Sequence, residues 1–167
     1  MSQVWSEVNK IVSGLIPVAD CFATGVETDI VNMENYKKCT FLVYTGATST
    51  GSTVITVNAG ASSTGAATAI AFKYRTQVAQ TNATTTGGDI PGALTDATST
   101  GFTTTISKVG GIYIIEVDAS TVAAAGTNFD HCKLDADESV NSPITGCVLA
   151  ILSEPRYPQA ILATAID

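Results

Sequence analysis

A chain of 167 residues, 45% hydrophobic but only 14% charged, is long enough for one domain with a buried core and too apolar for a disordered tail. Its net charge of −7 offers no cationic footprint for nucleic acid and sets it against anionic lipid surfaces. No stretch approaches the ~20 apolar residues that span a bilayer. No basic region followed by an unbroken apolar run opens the chain, so synthesis and folding in a cytoplasm are expected.

Residues 2–16 carry a helical period, with Val4, Val8, Ile11, Val12 and Leu15 on one stripe. Ser2 is placed to cap the start, Glu7 lies near the positive end of the dipole, and Gly14 and Pro17 close the segment. With Trp5 added, the stripe either covers the domain's own core or docks on a partner as an arm, so residues 1–20 are set apart.

From about residue 36 the period becomes two. Residues 37–45 alternate Cys39, Phe41 and Val43 against Thr40, Leu42 and Tyr44; both faces are fairly apolar, which predicts a strand covered on both sides. Strands are also predicted at 53–59 and 69–77. In the latter Ile70, Phe72 and Tyr74 oppose Ala71, Lys73 and Arg75. Residues 78–100 form a long polar loop in which Ile90 to Leu94 is a candidate edge strand or docking segment.

Strands resume at 101–107 and 112–118 around a Val109-Gly110-Gly111 turn. A helical turn over 119–126, capped by Ser120 and ended by Gly126, follows. Residues 129–134 and 145–152 read as strands, the second so apolar that it belongs centrally in a sheet. Glu154-Pro155-Arg156-Tyr157-Pro158 is too proline-rich for a strand interior. The pattern predicts an all-β antiparallel sandwich or jelly roll over 21–158, behind a short N-terminal helix or arm and ahead of a tail at 159–167. The pentapeptide ATSTG recurs at 47–51 and 97–101, each ahead of an expected strand; it marks either two turn-plus-strand units of a duplicated Greek key or, more readily in so biased a composition, chance.

Chemistry-bearing patterns are sparse. His131 shares a strand face with Phe129 and Lys133, whereas Cys132 points the other way, so the neighbouring pair cannot easily act as base and nucleophile. Cys21, Cys39, Cys132 and Cys147 lack metal-ligand spacing and read as buried free thiols, which points weakly to a reducing compartment. Asp135, Asp137 and Glu138 lack a calcium-loop pattern and read as a solvated hairpin loop. Glu116 and Asp118 share a face, but a glycosidase needs a cleft and, usually, aromatic platforms, and the single Trp lies elsewhere. No phosphate loop is present. No catalytic, cofactor-binding or metal-binding residue is therefore expected. What remains is surface chemistry: the scarce cations Lys37, Lys73 and Arg75, and Arg156-Tyr157, residue types suited to interfaces.

Several stretches together resemble a family of tailed-phage virion structural proteins that includes head decoration, or cement, proteins. They are Ile30-Val31-Asn32-Met33 leading into Asn35-Tyr36-Lys37-Lys38-Cys39-Thr40-Phe41, then Ala69 to Arg75, Ile112 to Ala119, and Ser142-Pro143 with Ile151 to Tyr157; Val8 to Ser13 is similar to the family's opening helix. The likeness covers most of the chain and is weakest over 45–68 and 78–100. It implies a non-enzymatic β-domain that clusters with itself, as a homotrimer, on the major capsid protein at the exterior of an icosahedral head. It transfers no functional residues one by one. The contact residues expected from the chain itself are Val4, Trp5, Val8, Ile11 and Leu15 in the helical stripe and Pro155, Arg156 and Tyr157 in the tail segment. A tail or neck subunit, or a carbohydrate-binding sandwich displayed on the particle, are the alternatives.

Overall fold

The computed structural model describes residues 4–49, 51–77, 90–104, 110–140, 143–157 and 161–166. A short helix α1 (Trp5–Val8) leads into β1 (Asn9–Val18), followed by β2 (Val26–Glu27), β3 (Val31–Asn32), β4 (Tyr36–Ser49), β5 (Ser52–Gly60), β6 (Thr68–Ile70) and β7 (Phe72–Gln77). Then come β8 (Thr95–Ala97), β9 (Phe102–Thr103), β10 (Ile112–Asp118), α2 (Ala119–Ala124), β11 (His131–Val140) and β12 (Ile144–Pro155). The strands pair antiparallel in two sheets. Sheet A runs β1-β12-β4-β10-β7-β8; sheet B runs β2-β11-β5-β6, with β3 on β11 and β9 on β5. This is the all-β sandwich that the alternation predicts.

Period-two patterning supplies the core directly. Phe41 and Val43 on β4 and Ile115 on β10 point inward from sheet A, and Ile55, Val57 and Leu134 point inward from sheet B; all are fully buried in one cluster. Phe102 closes one side of the sandwich, its ring stacked on Tyr74 at 3.9 Å and tilted against Tyr113 at 5.7 Å. The segment expected as one strand over 69–77 is two strands. At Ala71 the chain leaves sheet B, where β6 pairs β5, and enters sheet A, where β7 pairs β10. The expected strand at 101–107 is the two-residue β9, with 105–107 outside the described residues. The edge strand forms at Thr95–Ala97, just beyond the expected Ile90–Leu94 segment.

Five expectations are corrected. The helical stripe over 2–16 is helical only at α1; residues 9–18 are an edge strand paired with β12. Register shifts between Ser13 and Leu15 and between Leu15 and Val18 explain the misleading period. A bulge inserts an extra residue, so the inward positions step from Val12 to Leu15 and mimic one turn of helix. The acidic run Asp135-Ala136-Asp137-Glu138 is no hairpin loop but the middle of β11, with Ala136 buried and Asp137 exposed. Strand β12 continues through Glu154 to Pro155, which pairs with Tyr36. The C-terminal segment is tied to the sandwich, since Ala165 is buried and its carbonyl accepts the Asn32 N–H, while the Ala163 carbonyl accepts the Tyr36 hydroxyl. In α2 the N-cap is Asp118, not Ser120, and no side chain caps it.

Candidate functional site

One end of sheet A gathers most of the expected contact residues. The register places Asn9 beside Ser153, Ser153 beside Lys38, and Lys38 beside Asp118, so β1, β12, β4 and β10 finish together. There α1 touches β12, and α2 packs on β4 and β10. The Glu7 carboxylate accepts the Val4 N–H, and the Asn9 amide donates to the Trp5 carbonyl; these bonds hold a helix of only four residues in place. With no buried residue, α1 leaves Val4 and Trp5 more than half exposed.

On the other side of β12, the Arg156 N–H donates to the Asn35 carbonyl at 2.8 Å, turning the chain after Pro155 toward the start of β4. Tyr157 is 67% exposed. Arg156, Lys37 and Lys38 then line one shallow cleft of about 370 Å³ with Asp118, Ser120 and Glu154. Lys38 reaches Glu154 at 3.5 Å, both about half exposed, a pair worth little in stability but enough to orient the lysine. Three of the chain's eight Lys and Arg residues thus line one cleft, at the sheet end that also carries exposed Trp5 and Tyr157, in a protein of net charge −7.

Of the expected contact residues, Val4, Trp5, Pro155, Arg156 and Tyr157 meet at this end, with Val8 half-buried beside them. Ile11 lies one row inward, exposed on the outer face of sheet A opposite Ile151. Leu15 does not belong: it sits further along β1 and packs against the core. The reason is again the β1 bulge, which turns Leu15 inward. The sequence patterns missed the role of Lys38 and the convergence of the cations, which depends on the Ser153–Lys38 pairing across more than a hundred residues.

The other chemical candidates are occupied. His131 is buried and its Nδ1 meets Asp130 Oδ1, while Cys132 faces the core with its Sγ 3.4 Å from Met33 Sδ. On the outer face of sheet B, buried Lys133 bonds Glu27 at 2.5 Å and lies 3.4 Å from Asp135, whose other oxygen accepts from Asn58. Burial pushes the Asp135 carboxyl above its ordinary value despite the lysine. Glu116 and Asp118 line an open cleft of about 570 Å³ with Asp96, Lys73 and buried Phe72. There Asp96, 2.5 Å away, holds the Lys73 ammonium charged, so this lysine is no free base. Among the described residues no three His, Cys, Asp or Glu side chains form a metal-binding group, and no helix is long and apolar enough to cross a membrane.

No protein-family model matches the chain, and no curated protein or solved structure matches it. Fold and surface together define an all-β sandwich with a cleft lined by three cations at the end of a sheet that also carries exposed aromatic side chains.

Proposed function

We propose that the protein is a decoration protein, bound as a symmetric oligomer, a homotrimer, to the major capsid protein on the outside of a tailed-phage head. The likeness of Tyr36–Phe41, Ala69–Arg75 and Ile151–Tyr157 to that family motivates the reading. The observation that carries it is the end of sheet A, where Lys37, Lys38 and Arg156 line one cleft and exposed Trp5 and Tyr157 lie at the same end of the sheet. Aromatic and arginine side chains carry most of the free energy of protein contacts, and the cations suit a carboxylate-bearing capsid surface. The function is mechanical: many weak contacts, repeated by the symmetry of the oligomer and the lattice, tie neighbouring capsid subunits together.

The test is cosedimentation with expanded heads assembled without the protein. The native chain should saturate them at a stoichiometry set by the lattice. Arg156→Glu combined with Tyr157→Ala should weaken binding by roughly 30-fold or more, as for a hot-spot pair worth about 2 kcal/mol. Native protein that fails to bind heads, or that labels only the tail or neck in particle images, refutes the assignment.

A further inference from the structure

Over β1, β12 and β4 the outer face of sheet A is apolar, where that of sheet B is charged. The cross-strand rows read Ile11–Ile151–Thr40–Glu116, then Ser13–Leu149–Leu42–Ile114, then Cys147–Tyr44–Ile112, with Lys73, Arg75 and Gln77 beyond them on β7. Ile11, Tyr44 and Leu149 are 52%, 49% and 38% exposed, and Leu42, Ile114 and Ile151 are half-buried only by their neighbours. The face runs on into an apolar cleft of about 510 Å³ between Pro17–Ala19 and Gly46, Thr145 and Cys147. Residues 37–45 and 145–152 are apolar on both faces, the pattern of strands covered on both sides. One chain covers only the inner side.

We propose that further copies of this same chain cover the outer face of sheet A, making it the subunit interface of the oligomer invoked above; the inference deepens that reading and rests on it. The extent fits. Four strands at ~4.8 Å spacing and three rows at ~6.7 Å give roughly 400 Å², with Glu116 at one corner, an area in the ~300–600 Å² range of a monomer's largest and often functional apolar patch and about half of a standard contact of ~800 Å² per partner. That is an interface core, to be completed by a polar rim.

Charge favours a like copy here. Between β1 and β4 the rows contain no carboxylate, and the first one reached, Glu116, lies in register with Lys73. At the margins Lys38–Glu154 and Lys73–Asp96 are already paired. Two chains of charge −7 therefore meet no carboxylate across these rows, whereas sheet B presents Glu27, Asp135 and Asp137 around Lys133. Association through strand edges is blocked at both ends of sheet A. Strand β1 carries two register shifts and Pro17, and β8 has three residues.

Sedimentation equilibrium of the full chain, beside Leu149→Lys and Tyr44→Glu, tests this. The native protein should have a mass of several 17.1 kDa chains, and each variant should fall to that of one chain with unchanged circular dichroism. A native monomer overturns the proposal, as does an oligomer that survives Leu149→Lys. An oligomer that survives but no longer binds heads also overturns it, because the face then belongs to the capsid. An oligomer that dissociates in the variants yet never binds heads upholds the interface and refutes the capsid assignment alone.

Discussion

Shortening the N-terminus in two steps separates partner contact from fold. Deleting residues 1–8 removes α1, which has no buried residue, so stability should change by less than about 0.5 kcal/mol while head binding weakens with the loss of Val4 and Trp5. Deleting residues 1–16 takes most of β1 as well. Val12 is 5% exposed and Leu15 packs against the core. A fully buried aliphatic side chain contributes roughly 1.5–3 kcal/mol, and Leu15 about half that. The cross-strand neighbours Ile11–Ile151 and Ser13–Leu149 add about 0.2–1 kcal/mol each. Together with the backbone groups of β12 left without their partner strand, the lost contacts should lower stability by about 2–4 kcal/mol. For a domain of this size that lowers Tm by about 5–12 °C. The deletion also bares the long apolar edge of β12, so the truncated chain should aggregate. Urea and thermal unfolding followed by circular dichroism, with light scattering for size, measure all of this. A chain lacking residues 1–16 that keeps the native midpoint and mass would refute β1 as an integral strand.

Two further outcomes follow from buried groups. Asp135 has a folded pKa above its ordinary value of 3.8, with burial the leading cause, Lys133 opposing and Glu27 adding to it. The folded state then binds more protons than the unfolded chain in the window from 3.8 upward, so this contribution is fully present below 3.8 and is lost as pH rises through the raised pKa. Asp135→Asn, which mimics the protonated acid, should gain stability relative to the native protein between pH 3 and 7 by urea midpoints, and a flat or reversed difference would refute the linkage. With a disulfide reagent at neutral pH, native protein should present one reactive thiol, half-buried Cys147. Cys39 and Cys132 are fully buried, and burial pushes the Cys21 thiol to about 12. All four should react after unfolding, and more than one fast thiol in the folded state would contradict the packing.

The strands legible in sequence are those whose period of two is unbroken. In β5 and β10 inward Ile55, Val57, Tyr113 and Ile115 alternate with polar or half-exposed neighbours, and nothing nearby imitates another period. Strand β1 was illegible because its bulges convert a spacing of two into three, and because its stability comes from pairing with β12, distant in sequence. The acidic half of β11 misleads for the opposite reason. Its alternation Leu134-Asp135-Ala136-Asp137 is regular, but a cluster of carboxylates reads as a solvated loop; in the fold Lys133 and Asn58 hold Asp135 on the outer face.

The site divides along the same line. Trp5, Arg156 and Tyr157 stand out one by one as residue types that bind partners, but their assembly with Lys37 and Lys38 is a property of register, which local pattern does not encode. Strand β12 is where fold and surface become inseparable. Its inward Val148, Ala150 and Leu152 lie in the core, its outward Leu149 and Ile151 lie on the open apolar face, and its last residue, Pro155, delivers Arg156 to the cationic cleft. A slip of one residue in the β12–β4 pairing would exchange Leu149 and Ile151 for core residues and carry Ser153 away from Lys38, losing the core, the apolar face and the end patch together. The near-continuous apolar run over 145–152 packs the core with its inner face, and the proposed interface between copies would give its outer face a task as well.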